Sequence, residues 1–406
     1  MKRIKMILVS IVLGSLLFQG CAPTNVHLRE ARICLGRDDI QKAQKELALA
    51  LEQQPNNVEA AFLEGHIYFK QENWAKMYES FVKVKSIDSL YEKENIEKMS
   101  LNAFAKLRGV GINEKFNKAV RLKQAEVVDA EQAEKLLNSS LVDLELANKL
   151  NKGDFFTNFI IGNIYIETGE KDKALEKFDE AIIYGEKEIS VLEEEIKKLK
   201  VEPIDSIKTS YIEKKTNDKL SIRNSIITCY FHKHNIYKEK GMEDKAIESL
   251  NKIIEIDPNE VRAIKELAKH YEESEPEKAL PLYEKVLATD PKNTDILFNQ
   301  GNLYYKMKNI DSAIANFEKI LAITPNDSET MYFLSMFYQE KAYQEVKKNA
   351  DKGKIKAIYQ KTVDMITPKW DGLSDEWKDK ISDYIQIAIV NTGGGKKAAD
   401  KYLRNN

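Results

Sequence analysis

The chain holds 406 residues, with 63 Lys and Arg against 65 Asp and Glu, 32% charged and 43% hydrophobic residues, and only 17 Gly and 9 Pro. So many charges with so few turn-formers favour long solvated helices and exclude sandwiches, barrels and disordered chains. A formal net charge of −2 leaves no basic surface for non-specific nucleic-acid binding, and three cysteines permit at most one disulfide.

The first segment, MKRIKMILVSIVLGSLLFQGC, has a cationic start (Lys2, Arg3, Lys5), then an apolar run from Met6 to Phe18. A membrane-spanning helix needs roughly 20 apolar residues, so this shorter run fits the core of an export signal. Its end, Gly20 directly before Cys21, resembles the lipobox of bacterial lipoproteins. That resemblance implies a signal peptide over 1–20, cleavage before Cys21, and acylation of Cys21 as a membrane anchor. Ala22, where an Asp would imply inner-membrane retention, points by the same resemblance to the outer membrane and a face toward the periplasm. Two or three acyl chains, at about 0.8 kcal/mol per buried CH₂, hold a protein where a single chain binds only reversibly.

Downstream the chain repeats itself. Over residues 293–327, Leu297, Gly301, Tyr304, Ala313, Phe317, Ile320 and Pro325 mark one unit. The preceding units carry Ala279, Tyr283, Val286 and Pro291, and before them Tyr230, Tyr237, Gly241, Ala246, Leu250, Ile253 and Pro258. Pro258, Pro291 and Pro325 therefore stand 33 and 34 residues apart. Upstream, Gly162, Tyr165, Gly169, Ala174 and Phe178 follow the same order, as do Gly65, Tyr68, Trp74 and Phe81, with a weaker first unit at Ala31, Ala43, Leu47, Ala50 and Pro55. Small residues early in each helix let two antiparallel helices approach, larger ones fill the seam, and the proline cannot continue a helix.

This pattern resembles the tetratricopeptide repeat. The resemblance implies an all-α fold, an α-solenoid built as a right-handed superhelix of helix-turn-helix units, whose stacking exposes a long concave face. It also implies protein–protein interaction and not catalysis: a scaffold for other proteins of the cell envelope. The alternative is a dedicated subunit of an outer-membrane protein assembly, pilus or secretion machine that binds an extended peptide in its groove. The expected organisation is N-terminal repeats over 21–185, a helical hairpin over 186–226, C-terminal repeats over 227–367, and capping helices over 368–406.

Two stretches break the period. Residues 92–154 read as one degenerate repeat with overlong helices and a turn at Gly109–Gly111. In residues 186–226, Ile189, Leu192, Ile196 and Leu199 follow helical spacing amid Glu and Lys until Pro203. That segment reads either as a lengthened repeat with a solvated face or as a partner-binding protrusion.

No pattern for chemistry emerges. The GGGKK segment at 393–397 lacks the GxxxxGK[ST] spacing of a phosphate loop, and His232 and His234, two apart on a helix, point to different faces. No catalytic residue, metal, cofactor or small-molecule substrate is expected. One recurrence does bear on binding. Phe159, Phe231 and Phe298 share a position in the first helices, and Asn163, Asn235 and Asn302 share another four residues later, on the same helix face. His66 and Lys269 replace the asparagine in two units, while Tyr305 and Lys306 extend the face. In tetratricopeptide proteins that face lines the groove, so by resemblance these asparagines would grip the main chain of a bound peptide beside apolar contacts from the aromatics.

Overall fold

A computed structural model describes residues 25–124, 129–201 and 206–402, and every regular element among them is a helix. The expected leader, Cys21, Ala22 and Pro203 lie outside the described residues. Helices begin where the sequence supplies Asn or Asp. The side chains of Asn57, Asn73, Asp154, Asn293, Asn309 and Asp327 each accept a hydrogen bond from the backbone N–H three residues on. Each such cap satisfies an otherwise unpaired donor and contributes about 1 kcal/mol.

The chain divides into two compact units, the first ending at Cys229 and the second starting at Tyr230. In the first unit, α1 (Val26–Gly36) packs with α2 (Ile40–Gln53) and α3 (Val58–Lys70) with α4 (Trp74–Ile87). Next come α5 (Lys93–Gly109), α6 (Asn117–Gln124) and α7 (Ala130–Leu150), then α8 (Phe155–Glu167) with α9 (Lys171–Val201). The following helix, α10 (Ser206–Glu239), contains the boundary. The second unit continues through α11 (Glu243–Ile256), α12 (Val261–Tyr271), α13 (Pro276–Thr289), α14 (Thr294–Lys306), α15 (Ile310–Ile323), α16 (Ser328–Lys347), α17 (Lys352–Ile366) and α18 (Asp375–Thr392). Within each unit consecutive helices pair and the pairs stack on their neighbours, which is the α-solenoid arrangement.

The pairing rests on one repeated contact. A Cβ placed on Gly162 would stand 2.6 Å from the Phe178 ring, one on Gly301 would stand 2.5 Å from the Phe317 ring, and Gly65 meets Phe81 in the same way. Each glycine lies on the first helix of a pair and its phenyl group on the second, 16 residues later. Phe178 and Phe317 are wholly buried, so the ring fills the space that a side chain at the glycine would occupy. In the second unit Phe317 also meets Phe298, Phe333 and Phe337 at 5.1–5.3 Å between ring centroids, joining one pair to the next. At the far end Ile381 and Ile385 of α18 pack with Met331, Ile366 and Trp370, and Tyr402 lies edge-on to Trp370 at 4.9 Å.

The turn expected at Gly109–Gly111 is absent. Residues Val110–Phe116 form a π-helix that continues α5 into α6. The cause is local. Gly111 presses on Leu144, where a Cβ would lie 2.9 Å from Cγ, and the Ser140 hydroxyl donates a 2.6 Å hydrogen bond to the Gly111 carbonyl. The wider turn brings that carbonyl to a buried partner on α7, and the glycine permits the approach. The boundaries expected at 185/186 and 226/227 fall inside α9 and α10, which are 31 and 34 residues long. These two helices run antiparallel: Lys215 pairs with Glu195, Lys219 Nζ lies 3.3 Å from Glu193, and Ile226 abuts Gly185.

The glycine–phenyl contact predicts that Gly301→Ala destabilises the protein by about 1–3 kcal/mol, read as a lower midpoint in urea unfolding. Adding Phe317→Leu should recover part of that loss. A destabilisation that is simply additive in the double variant would contradict the contact.

Candidate functional site

The candidate site is the face formed by the first helices of successive pairs. In the second unit these are the end of α10, then α12, α14, α16 and α18, and each touches the next. The Arg262 guanidinium lies 4.3 Å from the Phe231 ring centroid, and Lys265 Nζ lies 3.2 Å from Asp295. Phe298 meets Phe333 edge-on at 5.2 Å, and Tyr305 meets Phe337 at 4.8 Å. Tyr332 meets Tyr384 at 5.8 Å and Trp377 at 6.3 Å.

The structure gathers Phe231, Asn235, Phe298, Asn302, Tyr305 and Lys306 on the first helices of the second unit, while Phe159 and Asn163 stand on α8 of the first. Their roles divide by position. The aromatics are mainly packing groups: Phe231 is buried under Arg262, Phe298 is half-buried against Phe317 and Phe333, and Phe159 stacks on Phe155 at 6.0 Å. The amides are more open, with Asn235 exposed and Asn302 half-buried. Asn163 is half-buried, and its Oδ1 is fully enclosed with no hydrogen-bond partner in the structure. Gln339 Oε1 on α16 is in the same state. A buried oxygen left without a donor costs about 1–3 kcal/mol.

Lys306 is engaged. Its Nζ lies 2.9 Å from Glu272, whose other oxygen accepts a 2.7 Å hydrogen bond from the Tyr283 hydroxyl. The same tie recurs in the first unit, where Lys70 reaches Asp38 and Lys106 reaches Glu72. Each links the end of a first helix to the turn of the preceding pair. Half-exposed ion pairs of this kind contribute at most about 1 kcal/mol each, so they set register more than stability. Tyr332, Tyr384 and Arg262 belong to the same face and were not singled out in the sequence. Spacing along one helix marks them only as amphipathic, because the contacts that join them run between different helices, Arg262 to Phe231 and Tyr332 to Tyr384.

The strongly shifted groups are explained by packing. Burial and hydrogen bonds to Glu145, Glu272 and Glu318 raise the hydroxyl pKa values of Tyr165, Tyr283 and Tyr338. These pairs join adjacent helices across the seam, with O···O distances of 2.7–2.8 Å. The Cys34 thiol is pushed up by burial, and His234 Nδ1 lies 3.1 Å from the Ala246 carbonyl, to which it can donate. Among the described residues no three His, Cys, Asp or Glu side chains are grouped to hold a metal ion. Among them, too, no helix is long and apolar enough to cross a membrane.

His66 occupies the asparagine position of its pair, beside Phe62 at 6.3 Å. Burial, assisted by the Lys70 charge, holds its pKa down to about 4 against an ordinary 6.5. The neutral form therefore belongs to the folded state. Its stabilisation is fully present above pH 6.5 and is lost as pH falls through that value toward 4, because the unfolded chain then binds the extra proton. A thermal-unfolding series over this window should show His66→Asn with a weaker acid dependence than the parent, by up to about 3 kcal/mol at the acid end. Equal slopes for the two proteins would contradict this.

Residues 227–260 and 270–332 match family models of the tetratricopeptide repeat. No curated protein sequence matches the chain. Among solved structures, MamA is 21% identical over 43% of this chain and 87% of its own, with a TM-score of 0.31. YrrB, titled a TPR protein with an unusual peptide-binding site, is 16% identical over 56% of this chain and 95% of its own, with a TM-score of 0.33. The C-terminal part of a TPR repeat-containing protein from Cytophaga hutchinsonii is 13% identical over 71% of this chain and 99% of its own, with a TM-score of 0.41. Residues 227–260 and 270–332 thus match the tetratricopeptide repeat by sequence, within an all-α solenoid.

Proposed function

We propose that this protein is a membrane-anchored, periplasm-facing scaffold that binds extended segments of other envelope proteins along its first-helix face. The observation that carries the reading is that the first helices of the second unit leave Asn235 exposed and Asn302 half-buried, at one recurring position. An extended peptide offers main-chain N–H groups at regular spacing, and the amides on α10 and α14 can receive them without regard to the peptide's side chains. Exposed aromatic edges such as Tyr305, 36% accessible, supply apolar contact beside that row. Acylation of Cys21 would confine the scaffold to a surface, where a raised local concentration makes weak contacts sufficient for assembly.

Two experiments test the two halves of this reading. Crosslinking in native cells, followed by mass-spectrometric identification, should return envelope proteins from the parent. Asn235→Ala combined with Asn302→Ala should lose them while the unfolding midpoint stays within about 1 kcal/mol of the parent. Unchanged partners would contradict groove binding. Separately, Cys21→Ser should abolish fatty-acid incorporation and release the protein from the membrane fraction, and retention of the acyl label would contradict the anchor.

A further inference from the structure

Helix α1, the first described helix, carries an apolar stripe on its free side. Leu28, Ala31 and Leu35 are buried in the core of the first unit. On the opposite face Val26 is 75% exposed and Ile33 37% exposed, about two turns apart. Arg29 stands exposed between them. Nothing among the described residues covers this face. The outer face of an end unit in a stacked array is normally polar, so aliphatic side chains there call for a cover. The charges beside the stripe do not select one, because they have partners of opposite sign: Glu30 lies 2.9 Å from Lys42, His27 lies 2.7 Å from Glu46, and Arg32 pairs with Glu59.

We propose that the Val26–Arg29–Ile33 stripe of α1 lies on the bilayer that holds the acylated Cys21. The inference rests on the anchor in the proposed function and adds the surface by which the folded chain meets the lipid. Length of chain selects this occupant. Residues 22–24 alone separate Cys21 from Asn25, and four residue steps reach at most about 14 Å even when fully extended. The headgroup layer accounts for roughly 5–8 Å on each side of a bilayer. The start of α1 is therefore held within about one helix diameter, roughly 10–12 Å, of the headgroups. Val26 is the first residue of that helix, and Ile33 continues its face away from the tether. Arg29 between them can lay its methylene stem on the apolar layer and keep its guanidinium at the phosphates. An acyl chain and an aliphatic stripe together supply the two signals that stable attachment at an interface requires.

The test uses the full chain, isolated from membranes with its acyl group and reconstituted into phosphatidylcholine vesicles whose headgroups carry a nitroxide quencher. A fluorophore is attached through Arg29→Cys or, as the control, through Val82→Cys, 47% exposed on α4 of the next pair. Cys34 and Cys229 are buried and Cys21 is blocked by its acyl group, so the label enters at the new thiol. The nitroxide should quench the label at position 29 and leave that at 82 bright. Val26→Asp with Ile33→Asp, added to Arg29→Cys, should lose most of that quenching with the acyl group still in place. Both positions are exposed, and an unchanged circular dichroism melt would confirm that the variant folds. Equal quenching at 29 and 82, or quenching at 29 that the aspartates leave unchanged, would overturn the seating of α1 while mass spectrometry still finds Cys21 acylated. An unacylated Cys21 would instead overturn the anchor and the seating with it. So would a dimer in detergent that the aspartates dissociate overturn the seating, by making a second copy the occupant.

Discussion

The structure depends on a steric exclusion: a glycine on one helix and a phenyl ring on its partner occupy the same volume. Gly65 with Phe81, Gly162 with Phe178 and Gly301 with Phe317 repeat this contact in three pairs. Glycine inside a helix costs about 1 kcal/mol relative to alanine, so its recurrence at this position needs a compensating gain. That gain is the burial of a whole aromatic side chain, worth about 1.5–3 kcal/mol, together with dense contact on all sides. The ring also reaches onward. Phe317 is shared with Phe333 and Phe337 of the next pair, so the contact that closes one pair supports its neighbour.

Around that lock the polar groups act locally. Asparagine and aspartate caps end the turns, Tyr165–Glu145 and Tyr338–Glu318 cross the seams, and Lys306–Glu272 ties a helix end to the preceding turn. Each fixes the rotation of a helix about its axis. The consequence is a division of faces: the phenyl side is consumed by packing, and the amides at Asn235 and Asn302 are left accessible. A binding surface on the first helices follows from the way the second helices are held.

Much of this was readable in the sequence because it is periodic. Glycine, alanine, aromatic and proline recur at fixed offsets, so the helix pairs and their small-residue contacts could be placed before any coordinates. What failed was not periodic. Gly109 and Gly111 look like a turn, yet Ser140, nearly thirty residues away, accommodates the Gly111 carbonyl and keeps the chain helical. The packing partners of Phe231 and Phe298, which are Arg262, Phe317 and Phe333, are likewise ones that spacing within one unit does not reveal. Tyr332 and Tyr384 escaped notice for the same reason. Long-range side-chain contact decides which of two plausible faces is occupied, and a local pattern carries no information about it.

The central claim is that the first helices present the working surface while the second helices support it. Site-specific photocrosslinking in native cells tests it most directly, with the reactive group placed in turn at Tyr305 on α14 and at the exposed Lys319 on α15. The account predicts partner adducts from position 305 and none from position 319. Adducts of equal yield from both, or from 319 alone, would contradict it.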